Sequence, residues 1–264
     1  MVFAWLKPAL PPLEVAVDSG TGPVVVLLHG IASTAVTFDF LVPLLTPNHR
    51  VIALNLYGHG NSPAPDLEYT VDDHVDSVRR TLRRLGIRRG FVLVGHSMGA
   101  LIAARYAAQD STAVTRLVMV SPPIYPPASA LANPADKAQM GFYQQFYDYL
   151  KANPAFTALT AQAINALSPI PNIVTVSETG WEATRRSMTN VIQNQTTIAD
   201  LALVDVPVDV VYGALDPFLV KRGLTAIEKL ANVTTHRIEI ADHVVRHDVA
   251  RLIASIIDEA TAGA

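Results

Sequence analysis

Gly95-His96-Ser97-Met98-Gly99 carries the combination of residue types in this chain best suited to covalent chemistry. Phe91 to Val94 lead into it as four apolar residues, and an alanine-rich helical pattern, Ala100 to Gln109, follows without a break. The spacing predicts a strand that turns sharply into a helix at Ser97. Such a turn strains the serine backbone and brings strand and helix so close that a side chain at Gly95 or Gly99 would collide. The hydroxyl projects from the turn, and the Met98 amide, at a helix N-terminus, faces negative charge developing nearby. With 14 glycines in 264 residues, a chance G-x-S-x-G arises roughly 0.03 times.

A serine is a weak nucleophile at its own pKa and needs a neutral imidazole to remove its proton. His29 precedes Gly30 at the end of the apolar run Val24 to Leu28, and His59 lies within Tyr57-Gly58-His59-Gly60-Asn61-Ser62; both read as groups that fix loops. His243 directly follows the last expected strand, Thr234 to Ile240, and is the candidate base. His247 lies a turn further on, in an amphipathic helix whose Val245, Val249, Leu252, Ile253 and Ile256 face inward, and should be partly solvated. A metal pair at His243 and His247 lacks a third ligand, so no metal is expected. Asp205 and Asp209 lie before or within the strand Val206 to Tyr212, whereas Asp216 follows its C-terminal end, where active groups of parallel sheets gather.

Several elements must position these groups. Leu13 to Val17, a Gly-containing turn and Val24 to Leu28 read as a hairpin. A helix over Val36 to Leu45 and a strand over Arg50 to Leu56 follow. Thr70 with Asp72 and Asp73 marks a helix start, Val71, Val75, Val78, Leu82 and Leu85 give it one apolar face, and Gly86 ends it. Arg116 to Val120 is a further strand. From Pro123 to Thr197 no buried strand is evident, prolines recur and aromatics gather, which predicts an inserted helical segment. A helix over Leu219 to Leu230 then joins the last two strands.

The net charge of −3 leaves no basic field for nucleic acid. The arginines between Arg79 and Arg89 are interrupted by apolar residues and read as a solvated helix face. There is no cysteine, hence neither a disulfide framework nor a thiolate nucleophile. No apolar run approaches a bilayer span, so a soluble, cytoplasmic protein without membrane partners is expected. Self-association is left open.

At its serine turn the chain resembles the α/β-hydrolase family, and the resemblance extends along nearly the whole core. His29-Gly30 matches a His-Gly pair of that family, which implies that the Ile31 amide is the second oxyanion donor beside that of Met98. The loop from Tyr57 to Ser62 is similar to the family's Gly-rich loop, with Asn55 where the family usually has Asp. Asp216 occupies the place of the family's acid and His243 that of its base, with Asp242 where Gly is usual. The order Ser97, Asp216, His243 is that of the family's triad.

The resemblance implies an α/β fold: a mostly parallel central sheet of about eight strands flanked by helices, with residues 1–122 and 198–264 as the core and 123–197 as a helical cap. It implies a serine hydrolase that needs no cofactor and acts on a small molecule. Cleavage of a carboxylic ester through an acyl-enzyme is the leading expectation. Carbon–carbon bond hydrolysis or perhydrolase chemistry on the same triad, and a slow-turnover ligand receptor, are the alternatives. Charges are sparse between Met140 and Pro171, so the pocket under the cap should be mainly apolar, with Phe142 and Phe146 lining it. Arg185 and Arg186 are the side chains that could instead bring a charge to it.

Overall fold

The computed structural model describes residues 10–126, 134–168, 170–175 and 177–262; the N-terminal run at residues 1–9 lies outside them. The described residues carry seven strands, in the spatial order β1-β3-β2-β4-β5-β6-β7, where about eight were expected. These are β1 (Glu14–Ser19), β2 (Val24–Leu28), β3 (Arg50–Asn55), β4 (Phe91–His96), β5 (Val114–Val120), β6 (Val208–Gly213) and β7 (Val233–Ile238). All neighbours are parallel except β1, which lies antiparallel on β3.

The expected opening hairpin is corrected by this pairing. β2 is apolar at every position and lies between two parallel strands, β3 and β4, while the more polar β1 takes the edge beyond β3. A strand with no polar face is stable only when both faces are covered, and a hairpin with β1 would have left β2 nearer the edge. Alternation within β2 shows the two coverings. Val25 and Leu27 pack on one face with α9 (His247–Thr261), and Val26 and Leu28 on the other with α2 (Val71–Arg84) and α3 (Met98–Gln109). Each such fully buried side chain stabilises the fold by about 1.5–3 kcal/mol.

Thr70 caps α2 as expected. Its hydroxyl accepts from the Asp73 amide at 3.1 Å, and the Asp73 carboxylate accepts from the Thr70 amide at 2.9 Å. The helix expected over Val36 to Leu45 is instead a 3-10 turn, Ala35–Phe38, and a separate short helix α1, Val42–Leu45, with a proline in its first turn.

Between β5 and β6 the described residues contain no strand. They form α4 (Pro134–Ala152), α5 (Pro154–Leu167), α6 (Trp181–Ser187), a π-helical stretch over Met188–Gln193, and α7 (Thr197–Leu201). α8 (Lys221–Ile227) then joins β6 to β7. Among the described residues no helix is long and apolar enough to cross a membrane.

Candidate active site

Ser97 lies between β4 and α3 with φ 54° and ψ −120°, a left-handed conformation that a non-glycine residue adopts only when its surroundings enforce it. Those surroundings are visible. A Cβ on Gly95 would sit 2.3 Å from the Gly99 carbonyl oxygen, and one on Gly99 would sit 2.3 Å from the Leu28 oxygen. The Ser97 amide donates to the Val120 carbonyl at 2.9 Å, which ties the turn to β5. Met98 opens α3, so its amide belongs to the first turn and has no partner four residues back.

Gly30, at the end of β2, brings a second backbone segment against the serine: a Cβ there would lie 2.9 Å from Ser97 Cβ and 3.4 Å from its Oγ. Two histidines hold this segment. His29 donates from Nδ1 to the Gly30 carbonyl at 2.7 Å and accepts at Nε2 from the Leu56 amide at 2.9 Å. His59 donates from Nδ1 to the Tyr57 carbonyl at 2.9 Å and accepts at Nε2 from the Ala32 amide at 3.1 Å. Burial drives both toward the neutral form, His29 well below the ordinary imidazole range and His59 down to about 4. Both rings therefore serve loop geometry. Asn55 does the same, accepting from the Ala35 amide at 2.8 Å and donating to Glu14 at 2.6 Å. The Ala32 amide is engaged by His59, whereas the Ile31 amide donates to no other group among the described residues.

Asp216 and His243 come together from the loops after β6 and β7. Those loops are laced by the Leu215 amide, which donates to the Ala241 carbonyl at 3.0 Å. His243 Nδ1 donates to Asp216 Oδ2 at 2.8 Å, and the other oxygen, Oδ1, accepts from the Phe218 amide at 2.9 Å. The carboxylate is almost wholly buried, so the imidazole proton is held on Nδ1 and Nε2 is left as the basic nitrogen. His96 reaches across from the serine turn and donates from Nε2 to the His243 carbonyl at 2.8 Å. Asp242 turns away to Arg246, at 2.7 Å. Burial alone would raise its carboxyl, but the Arg246 and Val244 hydrogen bonds hold it below the usual range. No hydrogen bond joins Ser97 Oγ to His243 among the described residues; both side chains line one cavity. Catalytic contacts in unliganded hydrolytic sites are commonly longer than in the substrate complex.

A sequence profile described as the alpha/beta hydrolase fold matches residues 23–169, more than half the chain. The chain belongs to the α/β-hydrolase fold family. The 2-(acetamidomethylene)succinate hydrolase of Mesorhizobium japonicum is 31% identical over 141 residues, covering 53% of this chain and 50% of that protein. The N-formylmaleamate deformylase of Pseudomonas putida is 37% identical over 109 residues, 41% of this chain and 40% of that one. The matched part thus spans half or less of these curated relatives. A crystal structure of the N-formylmaleamic acid deformylase from Pseudomonas putida S16 superposes with a TM-score of 0.66 at 26% identity, over 90% of this chain and 93% of that one.

The hydrolase cavity has a volume of about 280 Å³ and is lined on the core side by Gly30, Ile31, Ser97, Phe218 and His243. Phe146 and Leu150 from α4, Ala161 from α5, then Ile173 and Met188 form the opposite side. Among the described residues no Asp, Glu, Lys or Arg belongs to the lining. Phe146 is among the lining residues, whereas the expectation for Phe142 is corrected: it is 65% exposed, stacks on Phe146 and does not line the cavity. A helix with aromatics on several faces does not reveal which face looks inward.

Arg185 pairs with Glu182 at 2.8 Å and Arg186 with Asp66 at 3.1 Å, and neither lines the cavity. His247 is exposed and packs on Phe40, ring centroids 3.9 Å apart. Asp209 is buried in β6 and held by Arg116 at 2.6 Å and His236 at 2.8 Å, away from the lining. Among the described residues no cluster of three or more His, Cys, Asp or Glu could hold a metal. Sequence reasoning missed Phe218, whose ring lies 4.9 Å from that of His243; its place two residues after Asp216 was the available signal.

Proposed function

We propose that this α/β hydrolase cleaves a carboxylic ester of a small, uncharged, mainly apolar substrate through an acyl-enzyme on Ser97. The observation that carries the reading is the shared cavity of Ser97 and His243, with Asp216 fixing the His243 proton on Nδ1. Ser97 Oγ attacks the ester carbonyl as its proton passes to His243 Nε2. The imidazolium so formed is stabilised by Asp216. Charge on the carbonyl oxygen is met by the amides of Met98 and Ile31, each worth about 2.7–4 kcal/mol in a dry site. His243 then returns the proton to the departing alkoxide, and the acyl group stays on Ser97. Water, deprotonated by the same histidine, releases the acid and restores the serine.

Residues 123–197 act in this reading as a cap that chooses the substrate, since α4, α5 and Met188 supply the wall opposite the serine. Two relatives carry names built on succinate and maleamate, both acids. Binding a carboxylate would call for a cation, and Arg185 and Arg186 are engaged by acidic side chains outside the cavity. Uncharged substrates are therefore favoured here. The kinship with a deformylase supports, as a second reading, the same serine chemistry on a bond other than an ester.

A turnover screen of aryl esters with graded acyl length, each neutral ester paired with an acid-bearing analogue, tests the proposal. Turnover of short to medium neutral esters over their acidic partners is expected. A preference for the acidic partner that Arg185→Ala or Arg186→Ala removes would overturn the apolar pocket. Absence of turnover on every ester would move the reading to another bond.

A further inference from the structure

Most polar side chains on the cavity wall have their hydroxyl or ring protons committed elsewhere. Thr157 donates to the carbonyls of Leu150 and Asn153 at 2.9 and 3.1 Å, and Thr160 to that of Phe156 at 2.9 Å. The Tyr147 hydroxyl is shared with that of Tyr125 at 3.1 Å, and His96 gives its Nε2 proton to the His243 carbonyl.

Ser33 and Thr37, like the Tyr125–Tyr147 pair, are two hydroxyls joined to each other, but here both members line the cavity. Their hydroxyl oxygens lie 2.8 Å apart, and neither hydroxyl has another partner among the described residues. Two hydroxyls bring two protons, and one mutual hydrogen bond uses one of them. Thr37 is wholly buried while Ser33 keeps 6% of its surface. Were Ser33 the donor, the Thr37 proton would be stranded in the interior, with the penalty of an unmade buried hydrogen bond. The arrangement without that penalty has Thr37 donating to Ser33, which frees the Ser33 proton for the cavity.

The position is also held. Neighbouring Ala32 has its amide bound by His59 and its carbonyl bound by the Thr175 amide at 2.7 Å, and three residues earlier Gly30 touches the serine turn. A neutral O–H at a fixed place, on a wall where Thr157 and Thr160 turn their hydroxyls back onto main-chain carbonyls, suits an uncharged oxygen acceptor.

Resting on the serine-hydrolase reading above, we propose that Ser33, oriented by Thr37, is a specificity-determining donor that binds an uncharged oxygen of the substrate, a keto or ether oxygen, outside the scissile ester. The preferred substrates are then oxygenated and not plain hydrocarbon esters.

The test uses aryl esters of one chain length in which a single methylene is replaced by an ether oxygen at successive positions. In the wild-type protein one position should show kcat/KM about tenfold above the other ether positions, the worth of one hydrogen bond. Ser33→Ala should remove that gain, so that the kcat/KM ratio of the favoured ether ester to the all-methylene ester falls about tenfold. Thr37→Val, similar in shape, should reduce the gain by freeing the Ser33 rotamer. A gain that survives Ser33→Ala, a wild-type profile flat along the chain, or an equal loss on ether and methylene esters would each overturn the proposal. Non-hydrolysable ketone analogues of the same chains, followed by thermal shift, read the subsite without turnover. A position-dependent ether preference in binding with no ester turnover keeps the subsite and sinks the hydrolase reading; uniform binding with brisk turnover does the reverse.

Discussion

The core wall of the cavity carries Ser97, His243 and the unengaged amide of Ile31, each on a loop after a parallel strand and each braced by backbone contacts. The opposite wall, from α4, α5 and residues 170–175, presents Leu150, Ala161 and Ile173, and threonines whose hydroxyls are turned back onto main-chain carbonyls. Its ties to the core include the Thr175 amide on the Ala32 carbonyl at 2.7 Å and the Tyr143 hydroxyl on the Pro217 carbonyl. The core wall is a set of fixed distances in which a single added carbon displaces a strand. The opposite wall is a volume, which substitution can resize while the chemistry persists.

The contrast breaks most sharply at the base. His243→Ala is expected to lower kcat/KM on an aryl ester by about 10⁴-fold, whereas His247→Ala should stay within about twofold, because His247 lies on the surface against Phe40. Steady-state kinetics of the two variants check this. The reverse order would assign the base to His247.

Acid should attack the core side next. Desolvation lowers His59 to about 4 and His74 and His96 to about 3, so all three stay neutral in the fold. In the unfolded chain each takes up a proton near its ordinary value of about 6.5. Between those limits the unfolded state binds more protons than the native one, so stability rises with pH, is full above about 6.5 and is lost as pH falls. Each histidine contributes on the order of 1 kcal/mol per pH unit in that window, and the three act in the same direction. Urea unfolding at pH 7, 6 and 5 measures the slope, and a flat profile contradicts the neutral, buried assignment.

A pair of glycines makes the comparison at one atom each. Gly99→Ala drives a Cβ into the Leu28 and His29 carbonyl oxygens, at 2.3 and 2.5 Å, and should cost about 1–3 kcal/mol or more. Gly141→Ala, on α4 where an added Cβ meets nothing within 4 Å, should instead stabilise by about 0.5–1 kcal/mol. Thermal denaturation separates the two, and shifts of the same sign would mean that the walls are equally tight. The smallest effect concerns size: Leu150→Ala should move the preferred acyl chain toward longer members by about tenfold in relative kcat/KM with the pH profile unchanged. An altered pH profile would place Leu150 against the reacting groups.

Local spacing made the serine turn legible, since glycines at 95 and 99 answer a steric demand that the neighbouring strand and helix announce. It also placed Asp216 and His243 at strand ends, where the fold brings them within hydrogen-bonding distance. Pairing partners were not local: nothing in Glu14 to Leu28 says that β3 will lie between β1 and β2, and the hairpin was misread for that reason. Phe142 was misread because α4 is aromatic on several faces and only packing decides between them. Ser33 and Thr37 gave no signal, since isolated hydroxyls have no period and their significance lies in a proton count that needs coordinates.

The central claim is that the strained hydroxyl at position 97 is the nucleophile. Reaction with a fluorophosphonate probe, followed by peptide mass spectrometry, tests it without knowledge of the substrate. The account predicts a single adduct, on Ser97, that is absent from Ser97→Ala and strongly reduced in His243→Ala. An adduct on another residue, or labelling that survives Ser97→Ala, would contradict it.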